Sequence, residues 1–207
     1  KDYILNMGFK NSIGAYFKNL NTVAKNDTIY KSSPQIELMS ILEANSSIPL
    51  IKYNERFNEY IEPKISLRFN PGEMKDYSNT NRKINNSNIF EINRLGITDS
   101  YEEGKSLTLG IEYKKEQIND INRYFEFKLA SVFRDKNEER IPSSSSIKQN
   151  GNLIGSFQNN FNENLNFSYN FAIDNDLKTF DYNSLEASLN FDKFSTSFSF
   201  IEENGKI

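Results

Sequence analysis

Histidine and cysteine are both absent from the 207 residues. Their absence excludes imidazole acid-base chemistry, His-dependent triads, thiolate nucleophiles, disulfides and the usual zinc sites. Carboxylate pairs, Ser-Lys arrangements and carboxylate-bound Mg or Ca are the chemistries left, yet no spacing matches an EF-hand loop, a P-loop or a nucleophile elbow. Neither enzyme activity nor a metal or other cofactor is expected. The formal charge is −3, with acidic and basic residues interspersed. No sustained basic stripe is therefore available for a phosphate backbone, and nucleic acid is not an expected partner. Mean hydropathy is −0.67, and no run of about 18 apolar residues occurs, which excludes a transmembrane helix. A β-barrel escapes that test because half of each strand is polar. The amino terminus, Lys1-Asp2-Tyr3-Ile4-Leu5, opens directly into an alternating segment without the basic, apolar and small-residue order of a signal peptide. The chain reads as a piece of something longer.

What is present is alternation. Over 151–201 apolar residues recur at every second position: Leu153, Phe157 and Phe161; Leu165, Phe167, Tyr169, Phe171 and Ile173; Leu185, Ala187, Leu189 and Phe191; Phe194, Phe198 and Phe200. The positions between them are small or polar, as in Asn166, Ser168 and Asn170, or Ser195, Ser197 and Ser199. A period of two means strands with one apolar face. Here the apolar set includes Phe125, Phe127, Leu129, Leu165, Phe167, Phe171, Leu189, Phe198 and Phe200, and the opposite set Glu126, Lys128, Asn166, Ser168, Glu186 and Ser197. Strands of about 9 to 11 residues with such faces suit a transmembrane β-barrel.

Upstream, 3–10 and 13–19 alternate weakly and 20–33 reads as a loop. Segment 35–52 fits a strand or a short helix, and strand is favoured because its neighbours are strands. In 57–69 Ile61, Pro63, Ile65, Leu67 and Phe69 share a face, and Pro63, lacking a ladder donor, should distort the pairing near it. Segment 70–87 reads as a long polar, Asn-rich loop, and 96–104 is rich in turns. Strands follow around Leu107, Leu109, Ile111 and Tyr113 and around Phe125, Phe127, Leu129 and Phe133. The links 115–122, 134–150, 162–163, 174–180 and 192–193 alternate between longer and shorter. Up-and-down outer-membrane barrels require that alternation, with 134–150 and 174–180 then extracellular. The serine run 143–146 reads as low complexity.

Two stretches carry a family resemblance. Asn88-Ile89-Phe90-Glu91-Ile92-Asn93-Arg94-Leu95, followed by Asp99-Ser100-Tyr101-Glu102-Glu103-Gly104-Lys105-Ser106-Leu107, resembles a conserved stretch in the barrel of the LptD family of LPS-assembly (organic solvent tolerance) proteins. Tyr60-Ile61-Glu62-Pro63-Lys64-Ile65-Ser66-Leu67-Arg68-Phe69-Asn70-Pro71 resembles that family's E-P strand closed by a proline. The motif positions are Glu62, Pro63, Arg68, Pro71, Phe90, Arg94, Asp99, Glu103 and Gly104. The resemblance implies an outer-membrane location and the export of lipopolysaccharide (LPS) to the outer leaflet. It also implies as partners the lipoprotein plug LptE, periplasmic LPS bridge proteins, LPS itself and outer-membrane lipid. Family members have a periplasmic jellyroll and a 26-stranded barrel, neither of which fits within residues 1–207, and many carry inter-domain disulfides, whose cysteines either lie outside residues 1–207 or are lacking in this branch.

The expected fold is therefore all-β: about 10 or 11 antiparallel up-and-down strands of a transmembrane barrel, not closed on its own, with residues 1–207 in a single domain. Glu102 and Glu103 read as solvated turn charge, since adjacent strand residues face opposite ways. Arg94, Asp99 and Glu103 read as an ion-pair group that orders a loop or lines a lumen wall. Lys64, Arg68 and Lys128 are candidate contacts for LPS phosphates. Two rivals remain: a porin-like diffusion channel, which would lack the 88–110 signature, and a soluble β-sandwich binding module, whose aromatic face would be a core.

Overall fold

A computed structural model describes residues 2–4 (backbone only), 8–28, 30–136, 138–142, 151–162 and 164–203. Leu5, Met7, Glu163 and the serine run 143–146 lie outside the described residues. The eleven strands are β1 Asp2–Ile4, β2 Lys10–Thr22, β3 Gln35–Ser47, β4 Leu50–Tyr53, β5 Phe57–Asn70, β6 Gly104–Gln117, β7 Tyr124–Arg134, β8 Leu153–Asn162, β9 Leu165–Ile173, β10 Phe180–Phe191 and β11 Phe194–Glu203. They form one sheet in the order β1-β2-β3-β5-β6-β7-β8-β9-β10-β11, with β4 beside β5. Every pairing is antiparallel, and among the described residues β1 and β11 do not pair with each other. The all-β, open sheet expected from the alternation is what forms, and segment 35–52 is strand as favoured.

The distortion expected at Pro63 falls on its neighbour. β5 runs unbroken through Pro63, which faces Ile111 of β6, while the strand on its other side breaks at 48–49, where Pro49 stands. Ser47 faces Lys64 on one side of the gap and Leu50 faces Ile61 on the other, so the register carries across it. The Ile48 N–H still donates to the Pro63 carbonyl at 3.2 Å. Prolines on both strands remove donors from the same stretch of ladder, and two residues of pairing are lost there.

Register assigns the faces. Phe127 opposes Phe157 and Phe157 opposes Tyr169; Phe167 opposes Ala187 and Ala187 opposes Phe198. Phe125, Phe127, Leu129, Leu165, Phe167, Phe171, Leu189, Phe198 and Phe200 thus share one face, as the pattern required. On that face Tyr113, Phe125, Phe157 and Phe167 form a chain of edge-to-face rings with centroids 5.9, 4.9 and 5.6 Å apart, and the face is largely uncovered: Phe17, Leu38, Leu67, Phe194 and Phe198 are all exposed. Gly155 opposes Phe171, and the Phe171 ring lies where a Cβ on Gly155 would be. The aromatic ring covers the bare backbone there.

Links sort by end. The strand ends that bound links 23–34, 71–103, 135–152 and 174–179 lie at one end of the sheet and those that bound 54–56, 118–123, 163–164 and 192–193 at the other. The first set is the longer, and strict up-and-down order produces the sorting.

Segment 71–103 is the main correction to the sequence reading. Where a polar loop was expected over 70–87, the chain folds back as a cap on the polar face. Met74, Tyr77, Ile84, Ile89, Leu95, Ile97 and Ile141 pack onto Ala130, Val132, Ile154 and Ala172 of β7, β8 and β9. Each fully buried aliphatic side chain contributes roughly 1.5–3 kcal/mol before its ordering entropy is counted. Asparagines make the cap's irregular backbone affordable: the Asn88 amide donates to the Lys83 carbonyl at 3.0 Å, the Asn85 N–H donates to Asn88 Oδ1 at 2.9 Å, and the Ile97 N–H donates to Asn93 Oδ1 at 3.1 Å. Side chains replace the ladder partners that these peptide groups lack. The cap also reaches strands far apart in the sheet: Lys18 Nζ of β2 donates to the Thr98 carbonyl, and Lys83 pairs with Glu203 of β11. The strand path therefore curls around it.

Candidate functional site

Three carboxylates hold the cap, each in a different way. Glu102, 7 % exposed, lies between the cap and the wall. Arg94 donates to it through two nitrogens, Nε to Oε1 at 3.0 Å and Nη2 to Oε2 at 2.6 Å, and Arg134 Nη2 donates to Oε2 at 2.7 Å. Arg68 Nη1 stands 3.8 Å from Oε1. Arg94, 2 % exposed, also donates to Thr108 Oγ1 and Ser106 Oγ of β6, each at 3.1 Å. The planar guanidinium explains this: it presents a fixed fork to the carboxylate while its remaining N–H groups bond the wall. Burial raises the Glu102 carboxyl, but the guanidiniums more than offset this and hold it well below the usual carboxylate range. Burial draws Arg94 down from the ordinary guanidinium range, with Glu102 opposing it.

Asp99 ties the cap to link 23–34. It accepts from Tyr30 Oη at 2.5 Å, from Tyr77 Oη and from Lys75 Nζ at 3.4 Å. Lys75 in turn pairs with Glu37 of β3 at 2.8 Å and lies 4.7 Å from the centre of the Tyr30 ring. Burial raises Asp99, yet the two hydroxyls and Lys75 bring it below its ordinary value. The bond to Asp99 pushes the Tyr30 hydroxyl up to about 12, and burial followed by the same bond raises Tyr77. Glu103 ties the cap to the segment after β7. It pairs with Lys136 and with Arg140 Nη1 at 3.1 Å and accepts from the Met74 N–H at 3.3 Å. The bond from Lys136 is the chief reason that its carboxyl lies below the ordinary range.

The expected Arg94, Asp99 and Glu103 group is thus not brought together. Arg94 pairs with Glu102, and Asp99 and Glu103 each anchor a separate contact. Glu102 and Glu103 do point apart, but Glu102 is buried and is not solvated turn charge. The chain reverses at this point through Gly104, whose φ of +79° favours glycine.

The other motif positions surround the cap. Phe90 lies over Gly110 of β6, where a Cβ would come within 2.6 Å of the ring, and Lys64 Nζ is 5.9 Å from the centre of that ring. Pro71 begins the cap, where Asn70 Nδ2 donates to the carbonyls of Tyr101 and Glu102 at 3.1 Å and the Gly72 N–H donates to Asn70 Oδ1 at 2.9 Å. The sequence reading missed Tyr30, Asn70, Tyr77 and Arg134, which carry no local pattern. The lysines considered for phosphate are engaged: Lys64 with Glu62 at 3.3 Å and Glu112 at 2.9 Å, Lys128 with Glu126 at 3.0 Å. Arg68 is buried, and its Nε and Nη1 make no hydrogen bond among the described residues.

No group of three or more acidic residues that could hold a metal occurs among the described residues. The chemistry of the site is fixation of an inner cap on a polar wall by charge-assisted hydrogen bonds. No curated protein matches the chain. A family model, LPS transport system D, matches residues 16–206, and with that match over nearly its whole length the chain belongs to the LPS transport system D (LptD) family.

Proposed function

We infer that this chain forms part of the barrel wall through which lipopolysaccharide is transported and assembled at the outer leaflet of the outer membrane. The observation that carries this reading is the continuous, uncovered apolar face opposite a polar, capped one. From Ile61 to Phe69 the apolar band of β5 runs about 27 Å along the strand, or about 20 Å once the strand is tilted as barrel strands are, close to the height of a barrel's lipid-facing band. A soluble sandwich would need a second sheet over Phe17, Leu38, Leu67 and Phe198, and those side chains are bare. The long links 23–34, 71–103, 135–152 and 174–179 then belong at the extracellular end and the cap lies in the lumen. Family membership supports LPS as the cargo and a lipoprotein plug and periplasmic bridge proteins as partners. The test is depletion of the protein in cells, read by labelling of surface LPS. Loss of newly displayed LPS is expected; unchanged display together with altered uptake of small solutes would instead make the barrel a diffusion channel.

A further inference from the structure

Between the cap and the strands β7 to β10 lies a cavity of about 300 Å³, at the lower end of the range for small-molecule pockets. Its wall is an ordered array on three adjacent strands. Lys128, Ser156 and Asn170 form one row and Glu126, Gln158 and Ser168 the next, each residue opposite its neighbour in the ladder. Strand spacing and the two-residue repeat put such groups about 5 Å apart across strands and about 7 Å apart along them, the scale of the hydroxyls around one pyranose ring. Glu126 and Lys128 neutralise each other at 3.0 Å, so the array presents amides and hydroxyls with no excess of charge.

The opposite wall is a hydrogen-bonded turn. Turn 83–87 lines the cavity, and Asn85 Oδ1 fixes it by accepting from the Ser87 N–H at 2.9 Å and from Ser87 Oγ at 2.6 Å. Tyr182 closes one side, with Lys83 Nζ 4.8 Å from the centre of its ring. Neutral donors and acceptors beside an aromatic ring, flanked by the apolar Ile84, Ile154 and Ala172, match the hydroxyls and the C–H faces of a polyhydroxylated ligand. They do not match a free anion, which would need uncommitted cations, nor an acyl chain, which would strand the amides unpaired.

We propose that this cavity is a subsite for one sugar ring of a saccharide passing along the polar face. The source of the sugar rests on the LPS-transport reading; the chemistry of the subsite does not. The probe is the acyl-free core oligosaccharide of LPS, dephosphorylated, added to the intact protein in detergent and followed by saturation-transfer NMR. Saturation of ring protons is expected, and the variant Ser156→Val/Asn170→Leu should bind about tenfold more weakly through loss of two neutral hydrogen-bonding groups. Gel mobility with and without heating shows whether that variant folds; if it does not, Gln158→Leu, which alters one member of the array, is measured instead and should weaken binding severalfold. Absence of transfer, unchanged binding by the folded variant, or displacement by an equal concentration of inorganic phosphate would overturn the subsite. If surface LPS display still depends on the protein when the oligosaccharide fails to bind, only the subsite falls. If display is independent of the protein, the transport reading falls, and the binding data alone decide the subsite.

Discussion

The polar face is built in two manners. On β5 to β7 it carries Glu62, Lys64, Arg68, Glu112, Lys114, Glu116, Glu126, Lys128 and Arg134. On β8 to β11 it carries mainly serine, asparagine and glutamine, as in Ser156, Gln158, Asn166, Ser168, Asn170, Ser188 and Ser197. In the first region charge is matched by charge, and where the cap covers it the pairs are dry: Arg94, Arg134 and Glu102 are all buried. In the second region hydroxyls and amides need no fixed partner, so the wall can remain open to water or to a neutral ligand. Buried charges must be paired, whereas small neutral groups can exchange one hydrogen-bond partner for another. The charged region therefore holds the cap in place, and the neutral region leaves the room beneath it.

The largest test of that contrast is Glu102→Gln. Removing this one carboxylate leaves three guanidiniums packed against a neutral amide, and breaking a buried pair in this way costs about 3–5 kcal/mol. The cap should detach from the wall. Limited trypsin digestion should then cut between Arg94 and Leu95, both of which the wild-type fold buries. Glu103→Gln should leave them protected, because the Lys136 and Arg140 partners of Glu103 reach solvent and water screens such pairs. Equal proteolysis of the two variants would show that burial does not separate these neighbouring carboxylates.

Next in size is the asymmetry between the two faces. Phe167→Arg places a charge at mid-depth on the apolar face, at about 2–4 kcal/mol in a bilayer, while Asn166→Arg points into the polar side. The folded fraction, read by gel mobility with and without heating, should fall for the first and hold for the second. Because a buried Arg would also harm a sandwich, the bilayer reading further requires that the protein need detergent to stay dispersed. Gly110→Ala tests how the cap is seated. Its Cβ would meet the Phe90 ring at 2.6 Å and the Leu129 carbonyl at 3.1 Å, and overpacking of this kind costs about 1–3 kcal/mol.

The Asp99 contact should give way at both extremes of pH. Asp99 has a folded pKa below its unfolded value of about 4; its contribution is complete above that value and is lost as pH falls through the folded pKa. Tyr30 is displaced the other way, from about 10 to about 12; its contribution is complete below 10 and is lost as pH rises between 10 and 12. Protection of link 23–34 against hydrogen exchange, taken relative to the intrinsic rate at each pH, should therefore fall below about pH 4 and above about pH 10. Tyr77→Phe removes one donor to Asp99 and should move the acid limb to higher pH. An acid limb that Tyr77→Phe does not move would show that Asp99 does not govern it.

The wall was legible in the sequence because a period of two is dictated by the strand itself: Phe167 and Asn166 declare their faces without any knowledge of the partner strands. The open sheet and the sorting of its links followed from the same pattern. The cap was not legible. Met74, Ile84, Ile89 and Ile97 lie in an Asn-rich stretch at irregular spacing, and only contact with Ala130, Val132 and Ile154 makes them a core. Glu102 was misread for the same reason. Its neighbour Glu103 is an ordinary peripheral carboxylate, and what distinguishes the two is Arg134, 32 residues away in sequence. The resemblance marked Arg94 and Asp99 as special but not which partners they choose.

The smallest expected effect sharpens the comparison most. Lys64 and Glu112 approach to 2.9 Å on adjacent strands, nearly as close as the 2.6 Å between Arg94 and Glu102. Distance alone would rank the two pairs together. Yet the Lys64 and Glu112 side chains are 24 % and 30 % exposed, whereas those of Arg94 and Glu102 are 1 % and 5 % exposed. Water still reaches the first pair, and each partner keeps part of its hydration. A double-mutant cycle with Lys64→Gln and Glu112→Gln should give a coupling of about 0.2–1 kcal/mol, shrinking further between low and 1 M salt, where the screening length falls to about 3 Å. The corresponding cycle of Arg94→Met with Glu102→Gln should show a coupling several times larger and nearly independent of salt, because both side chains are almost fully buried and salt ions do not reach them. Similar couplings for the two cycles, or equal salt dependence, would show that the cap does not exclude water from Glu102 and that burial does not separate the pairs within the charged region.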